Sequence, residues 1–226
     1  RYLLCTMSIT TRMTSVKYSH CQSMSTSFRK GTLVLVTTDD PPSDTGSTNA
    51  AWAGDDLPQP QANNVVPVQI RANLLHAEGI DGRGVTIAFV DSGFWRTAGL
   101  SKNKSREPRV LAQYDALLDQ VIHSQVGLGE SDDANGHGSH VAGIALDSSL
   151  VGGRPRGVAP GADLVSVRAF DAEGRSSYSA LLRAISWITD HAEDYGIRVV
   201  NLSFTAPPTA LYWDDPLAIA AMKAWH

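Results

Sequence analysis

Short apolar runs separated by longer segments with helical spacing dominate this chain from about residue 65 onward. Residues 85–90, 162–169 and 197–204 are apolar runs of the length expected for strands buried on both faces, and residues 109–114 predict a further short strand. Residues 176–192 repeat apolar side chains at i, i+3, i+4 and i+7, which predicts an amphipathic helix. This alternation predicts an α/β fold of three layers, a mainly parallel β-sheet flanked by helices.

Three further segments carry helical signals. Residues 70–77 have helical spacing with Gly79 as a stop signal, and a helix is predicted at residues 137–146. Pro216 opens another apolar helical pattern, which His226 interrupts without a stop signal. We therefore expect the domain to be truncated at its C-terminus in this chain.

The N-terminal quarter has a different texture. Residues 1–30 are dominated by Ser, Thr and Met without periodicity, residues 33–37 predict a short strand, and residues 39–61 have the polar, Pro-rich and Gly-rich composition of a linker. We expect residues 1–64 to form a poorly structured extension and linker, and residues 65–226 to form part of one folded domain.

Composition and charge exclude several classes of function. A chain of 226 residues with 42% hydrophobic content suits one main domain, and a net charge of −4 without a dense basic cluster argues against a nucleic-acid partner. No apolar run approaches the roughly 18 residues needed to cross a membrane, and the first residues do not read as a signal peptide. Cys5 and Cys21 favour unpaired thiols over a disulfide framework, and the oligomeric state is not indicated.

Two residues are candidates for chemistry. Asp91 directly follows a buried strand, where parallel sheets place their sites, although a turn aspartate is the plainer interpretation. His137 lies between two glycines at the predicted start of a helix, where they leave its ring accessible. A capped surface histidine, or a metal site shared with His140, are the alternatives. The metal is disfavoured because the pair lacks the i, i+4 spacing and glutamate of zinc-protease helices, and no Cys cluster adds ligands.

Four segments, in the expected order from residue 65 onward, resemble the subtilisin family of serine proteases. Asn-Gly-His-Gly-Ser-His-Val-Ala-Gly at residues 135–143 matches the family's histidine motif, and Asp-Ser-Gly at residues 91–93 matches its aspartate motif. Residues 157–162 and 199–204 give two more matches, the second resembling the family's substrate-lining strand. The resemblance implies a subtilisin-like fold and peptide-bond hydrolysis by an Asp-His-Ser triad.

The same resemblance assigns roles to residues of this chain. His137 would be the general base and Asp91 would orient its ring, the division of labour in the established serine-protease triad. A polypeptide substrate would lie as an added strand between two extended edges. The N-terminal edge could equally be an ordinary strand-to-helix turn capped by Ser176. The residues of the two edges are Gly174, Arg175, Ser176, Ser203, Phe204 and Thr205.

The chain also departs from the family pattern. The oxyanion asparagine and the Gly-Thr-Ser nucleophile segment, which would follow Phe204, do not occur in this sequence, so we expect the serine beyond His226 and no activity from this chain alone. Residues 147–156 stand where many members bind structural calcium, but they are poor in oxygen ligands and include two cations. We therefore predict no cofactor for the chemistry and name no metal ligands, while structural calcium stays an alternative that the sequence does not support. Arg175 and Thr205 replace smaller residues, so substrate specificity does not carry over.

Family members commonly carry an N-terminal propeptide, whose end would fall within residues 31–61, and secretion is the default that the resemblance implies. A second hypothesis is an inactive subtilisin-like protein that binds peptides, although the intact aspartate and histidine motifs count against it. A dinucleotide-binding enzyme is disfavoured because Gly82 and Gly84 precede the strand instead of following it.

Overall fold

A computed structural model describes residues 33–36, 65–122, 132–205 and 210–225 of the chain. The strands within these ranges are β1 (Leu33–Val36), β2 (Thr86–Asp91), β3 (Val110–Asp115), β4 (Gln120–Val121), β5 (Leu150–Val151), β6 (Arg154–Pro155), β7 (Asp163–Arg168) and β8 (Ile197–Leu202). The helices are α1 (Val65–Gln69), α2 (Ala72–Ala77), α3 (Ala98–Ser101), α4 (His137–Leu146), α5 (Tyr178–Asp190) and α6 (Pro216–Trp225).

Six strands form one sheet in the order β1, β8, β2, β7, β3, β4. Every neighbouring pair is parallel except β3 and β4, which are antiparallel. Strands β5 and β6 form a separate antiparallel hairpin. The mainly parallel sheet with flanking helices confirms the predicted α/β class.

Side chains alternate along β2, and this alternation directs its last residue, Asp91, to the face of the sheet that α4 covers. Ala88 and Val90 belong to the core cluster that α5 and α6 cover, whereas Phe89 belongs to the cluster that includes α4. Successive residues of a strand point to opposite faces. Asp91 is therefore directed to the same face as Phe89, the face on which α4 begins with His137.

Most predicted elements are confirmed within one or two residues, and the helix predicted at residues 137–146 has both of its predicted ends. The segment predicted as one helix at residues 70–77 is wrong in its start. Two short helices, α1 and α2, lie on either side of Arg71, whose left-handed backbone with φ 61° interrupts the helical hydrogen bonds.

The predicted start of α5 also needs correction. The capping residue is Ser177, not Ser176, because Ser177 has the extended backbone that turns its hydroxyl toward the helix. Its Oγ accepts a hydrogen bond of 3.1 Å from the amide of Ala180. Ser176 instead donates a long bond of 3.3 Å to the carbonyl of Ser177.

The strand predicted at residues 33–37 is confirmed as β1, but its place in the sheet was not predicted. It pairs in parallel with β8, along the edge opposite β2, with Leu33 beside Val199 and Val36 beside Leu202. The domain division at residue 65 stays a prediction, and Cys5 and Cys21 lie outside the described residues. Across the described ranges, no helix combines the length and apolarity needed to cross a bilayer.

Candidate active site

The carboxyl end of β2 and the first residue of α4 bring Asp91 and His137 into contact. Asp91 Oδ1 lies 2.9 Å from His137 Nδ1. The Asp91 side chain is only 3% exposed, whereas that of His137 is 35% exposed. An ionised carboxylate can only accept, so this bond places a proton on Nδ1 and leaves Nε2 of the neutral ring able to accept one. The pair therefore has the geometry of an oriented general base.

The two glycines that flank His137 have different physical roles. Gly136 caps α4 with a left-handed backbone, φ 93°, which favours glycine. Gly138 is required by a close approach, because a Cβ there would overlap the carbonyl oxygen of Gly93 and come within 3.0 Å of Asp91 Oδ1. From the sequence, both glycines were expected to keep the ring accessible, whereas in the structure Gly138 lets the helix approach the strand end.

The hydroxyl of Ser92 joins the aspartate loop to two other parts of the site. Ser92 Oγ lies 2.7 Å from Asp133 Oδ1 and 3.2 Å from Asp91 Oδ1, and it accepts a hydrogen bond of 3.0 Å from the amide of Gly138. The backbone amide of Ser92 donates to Asp91 Oδ1 at 2.7 Å. From the sequence, Ser92 was named only as the middle residue of the Asp-Ser-Gly motif, so these contacts were not predicted.

Asp133 receives donors on both carboxylate oxygens. Besides Ser92, its Oδ1 accepts from the amide of Gly136 at 2.8 Å, and its Oδ2 accepts from the amide and the hydroxyl of Ser139 at 2.8 and 2.6 Å. Burial by itself would raise the pKa of Asp133, but the hydrogen bonds from Ser139 and Ser92 outweigh it, so the pKa of this carboxyl lies below its ordinary value. Asp133 is a buried anion beside the site.

The neighbouring carboxyl of Asp132 behaves in the opposite way. Burial raises the pKa of Asp132, although the amide of Phe94 donates to its Oδ1 at 2.8 Å. Its Oδ2 accepts from Gln113 Nε2 at 3.1 Å. Two adjacent carboxyls therefore differ in environment, because Asp133 collects more hydrogen bonds to its charged form.

A cleft of about 330 Å³ opens beside the Asp91 and His137 pair, at the carboxyl ends of the parallel strands. Such ends are where α/β folds carry their sites. Of the predicted substrate-binding residues, Gly174 and the segment 203–205 line this cleft. The cleft is lined by Asp91, Ser92, Asn135, His137, Phe170, Gly174, Ser203, Phe204 and Thr205.

The other two predicted substrate-binding residues do not line the cleft. Arg175 is exposed and belongs to a turn in which its amide donates to Asp171 Oδ1 at 2.8 Å and its carbonyl accepts from the Asp171 amide at 3.0 Å. Ser176 is half-buried at the start of the segment that leads into α5. The cleft wall therefore reaches Gly174 and no further along this turn.

Sequence reasoning did not name Asn135 and Phe170 as site residues. Asn135 Nδ2 donates to the carbonyl of Ala172 at 3.0 Å, which ties the histidine loop to the turn that carries Gly174. The ring of Phe170 lies 5.5 Å from that of Phe204 at an angle of 48°. Asn135 could have been found as the first residue of the histidine motif, and Phe170 as the residue shortly after a buried strand.

The predicted lack of metal ligands stays a prediction. Among the residues that the structure describes, no three His, Cys, Asp or Glu side chains are grouped as metal ligands. His140, the second histidine of the motif, is exposed. In the segment 147–156, Asp147 Oδ2 lies 3.6 Å from Arg156 Nε, and β5 and β6 form their hairpin.

Known proteins with sequences similar to this chain include a serine protease and a subtilisin, as the four motifs indicate. Serine protease AprX of Bacillus subtilis (strain 168) is 28% identical over 156 residues, which cover 66% of this chain and 32% of that protein. Subtilisin BL of Lederbergia lenta is 31% identical over 140 residues, covering 62% of this chain and 44% of the relative. The chain thus spans less than half the length of these relatives.

A solved structure supports the same fold. The CspB protease of Clostridium perfringens superposes with a TM-score of 0.52 at 20% identity, covering 63% of this chain and 34% of that one. The sequence model of the Subtilase family, Peptidase_S8, matches residues 82–225. This range includes Asp91 at the end of β2 and His137 at the start of α4. The chain therefore belongs to the subtilase family of serine proteases.

Proposed function

We propose that this chain is part of a subtilisin-type serine endopeptidase that hydrolyses peptide bonds with an Asp-His-Ser triad. Asp91 and His137 are its first two members, and residues beyond His226 supply the serine. The observation that carries the proposal is the 2.9 Å contact between the buried Asp91 carboxylate and His137 Nδ1, beside an open cleft. Membership of the subtilase family supports it.

In this reaction, His137 Nε2 takes the proton of the serine hydroxyl while the serine oxygen attacks the peptide carbonyl carbon. The same proton then passes to the leaving amine, and a water repeats the cycle on the acyl-enzyme. Asp91 holds the tautomer in which Nε2 accepts, and it stabilises the imidazolium that forms. Its burial strengthens that interaction, because the surroundings are less polar than water.

The substrate in this proposal is a polypeptide in extended form, lying between Gly174 and the segment 203–205. Backbone groups along these edges bind many sequences, while Phe170 and Phe204 offer an apolar wall to one side chain. Contact with Arg175 and Ser176 stays a prediction. In this proposal the protease is secreted and needs no cofactor for the chemistry. Its partner is the polypeptide substrate, and neither nucleic acid nor a membrane is a partner.

The test is hydrolysis of a fluorogenic peptide by the chain extended with its own downstream coding sequence. His137→Ala should lower kcat by about 10⁶ and Asp91→Asn by about 10⁴, with KM little changed, because binding and the oxyanion donors remain. His140→Ala alters an exposed histidine in the same helix and should leave kcat within about twofold. Full activity of His137→Ala would exclude the proposed base.

A second candidate function is peptide binding without hydrolysis. It is favoured by one observation, that residues of this chain alone form the walls of the cleft. Fluorescence anisotropy of labelled peptides with the 226-residue chain tests it. An extended protein that binds peptides, contains no serine at the nucleophile position and cuts nothing would establish this function in place of the first.

A further inference from the structure

We infer that Asp133 is a positioning residue for the His137 ring, acting through the hydroxyl of Ser92. Its catalytic meaning rests on the proposed function, but the contacts do not. The Asp133 side chain is 8% exposed, and its two oxygens lie between the loop that carries Asp91 and the helix that begins with His137. One buried carboxylate therefore connects both halves of the candidate pair.

The hydroxyl of Ser92 has a single proton and two carboxylates within reach. The distance to Asp133 Oδ1 is 2.7 Å, whereas that to Asp91 Oδ1 is 3.2 Å, so the proton is directed to Asp133. The oxygen of the same hydroxyl accepts from the amide of Gly138 at 3.0 Å. Ser92 thus donates away from the candidate catalytic carboxylate.

This direction of donation affects the charge that His137 experiences. Asp91 Oδ1 already accepts from the Ser92 amide at 2.7 Å and from His137 Nδ1 at 2.9 Å. If Asp133 no longer attracts the hydroxyl proton, Ser92 can turn it to Asp91 Oδ1 as a third donor. A carboxylate that shares its charge among more donors holds an imidazolium less strongly. Asp133 therefore preserves the basicity of the pair.

The Asp133 carboxylate also holds the start of α4 in place. Its Oδ2 accepts from the amide and the hydroxyl of Ser139, and its Oδ1 accepts from the amide of Gly136. These donors lie on either side of His137 in the chain. By accepting from the two amides, the Asp133 carboxylate satisfies N–H groups that the first turn of a helix leaves without an internal partner. The ring is thus held from its own helix as well as from the aspartate loop.

The test is a pH titration of the His137 ring by NMR in the 226-residue chain, which needs no nucleophile. Asp133→Asn keeps the size of the side chain and removes its charge. We expect the titration midpoint of His137 to move to lower pH by roughly one pH unit or less, and the Nδ1 proton signal to broaden by faster exchange. An unchanged midpoint with an unchanged signal would overturn the inference.

Ser92→Ala distinguishes an effect of Asp133 that passes through the Ser92 hydroxyl from a direct effect of the Asp133 charge on His137. In that background the hydroxyl is missing, so adding Asp133→Asn should move the His137 midpoint by less than half of its effect in the unmodified chain. Equal shifts in both backgrounds would overturn the inference, because Asp133 would then act without Ser92. Unchanged amide signals of Val165 and Ile188, which are buried core residues, show that the variants are folded.

If Asp133→Asn does not fold, Ser92→Ala alone decides the question. The Nδ1 proton of His137 should then exchange faster than in the unmodified chain, and an unchanged exchange rate would overturn the inference. In the extended protein, Asp133→Asn should lower kcat about tenfold with KM within roughly twofold. If the unmodified extended protein hydrolyses no peptide, the proposed function is rejected, but the NMR result remains valid.

Discussion

Gly138, in the first turn of α4, lies directly against the backbone of Gly93, in the loop that follows β2. A side chain at residue 138 would overlap the carbonyl oxygen of Gly93 and approach Asp91 Oδ1. The helix can therefore begin close enough to the strand end for Asp91 and His137 to share a hydrogen bond. The candidate pair depends on this approach as well as on its two side chains.

Gly138→Ala should destabilise the fold by about 1–3 kcal/mol, the usual cost of inserting a methyl group into a packed contact. The contact is with backbone, which cannot move aside like the end of a flexible side chain. Gly143→Ala is the matched control, since it lies in the same helix and a Cβ there meets nothing within 4 Å. The control should be neutral or stabilising by up to about 1 kcal/mol. Urea unfolding measures both, and equal effects would contradict the argument.

Arg109 is a buried cation that holds two carbonyl groups. Its side chain is 0% exposed, and Nη1 and Nη2 each donate at 2.6 Å, to the carbonyls of Leu146 and Pro160 respectively. Burial lowers the pKa of this guanidinium to about 10, against the opposing charges of Asp163 and Asp147, so it remains charged at neutral pH. The end of α4 and the turn before β7 are joined through this one side chain.

Arg109→Ala should therefore cost at least about 3 kcal/mol, because it leaves a cavity, removes the side-chain donor from the Leu146 carbonyl, and leaves the Pro160 carbonyl with the Lys104 amide at 2.9 Å. Arg83→Ala serves as the control, since its side chain is 71% exposed and lies 3.9 Å from Asp81. That exposed contact should contribute less than about 1 kcal/mol. Guanidinium chloride unfolding at pH 7 compares the two. A loss of under 1 kcal/mol for Arg109→Ala would show that water replaces its hydrogen bonds.

The lowered pKa of Asp133 predicts a dependence of stability on acid pH. A carboxyl whose folded pKa lies below its unfolded value of about 3.9 contributes stability that is fully present above that value. The contribution is lost as pH falls through the folded pKa. Asp133→Asn should therefore lower Tm at pH 6, and the difference from the unmodified chain should shrink toward pH 3 and below. A difference that is constant across this range would contradict the assignment.

The sequence predicted the parts of the site whose signals are local. The apolar run before Asp91 and the helical pattern from His137 identified β2 and α4, and the histidine motif identified its own loop. Each of these signals lies within about ten neighbouring residues, and such periodicity is what single sequences reveal best.

The remaining features depend on packing between distant parts of the chain. Ser92 and Asp133 are 41 positions apart, so no local pattern announces their hydrogen bond. Arg109 is a charged residue at the edge of a predicted strand, a type that is seldom fully buried, and its burial follows from the two carbonyls that meet there. The pairing of β1 with β8 joins segments from opposite ends of the sequence, with no signal in either one.

The aromatic wall of the cleft gives the last prediction. Phe170 and Phe204 are both half-buried, their ring centroids lie 5.5 Å apart, and both line the cleft beside His137. A peptide that places a Leu or Phe side chain against these rings removes apolar surface from water, worth about 1.5–3 kcal/mol for a fully buried side chain. Phe204→Ala should therefore weaken binding of such a peptide about tenfold or more, and Phe204→Leu should weaken it less because most of the apolar surface remains.

Peptides with Ser at the same position should lose little affinity in either variant. Fluorescence anisotropy with the 226-residue chain measures all four combinations. Equal losses for Leu and Ser peptides would mean that Phe204 supports the backbone edge of the cleft instead of contacting a substrate side chain.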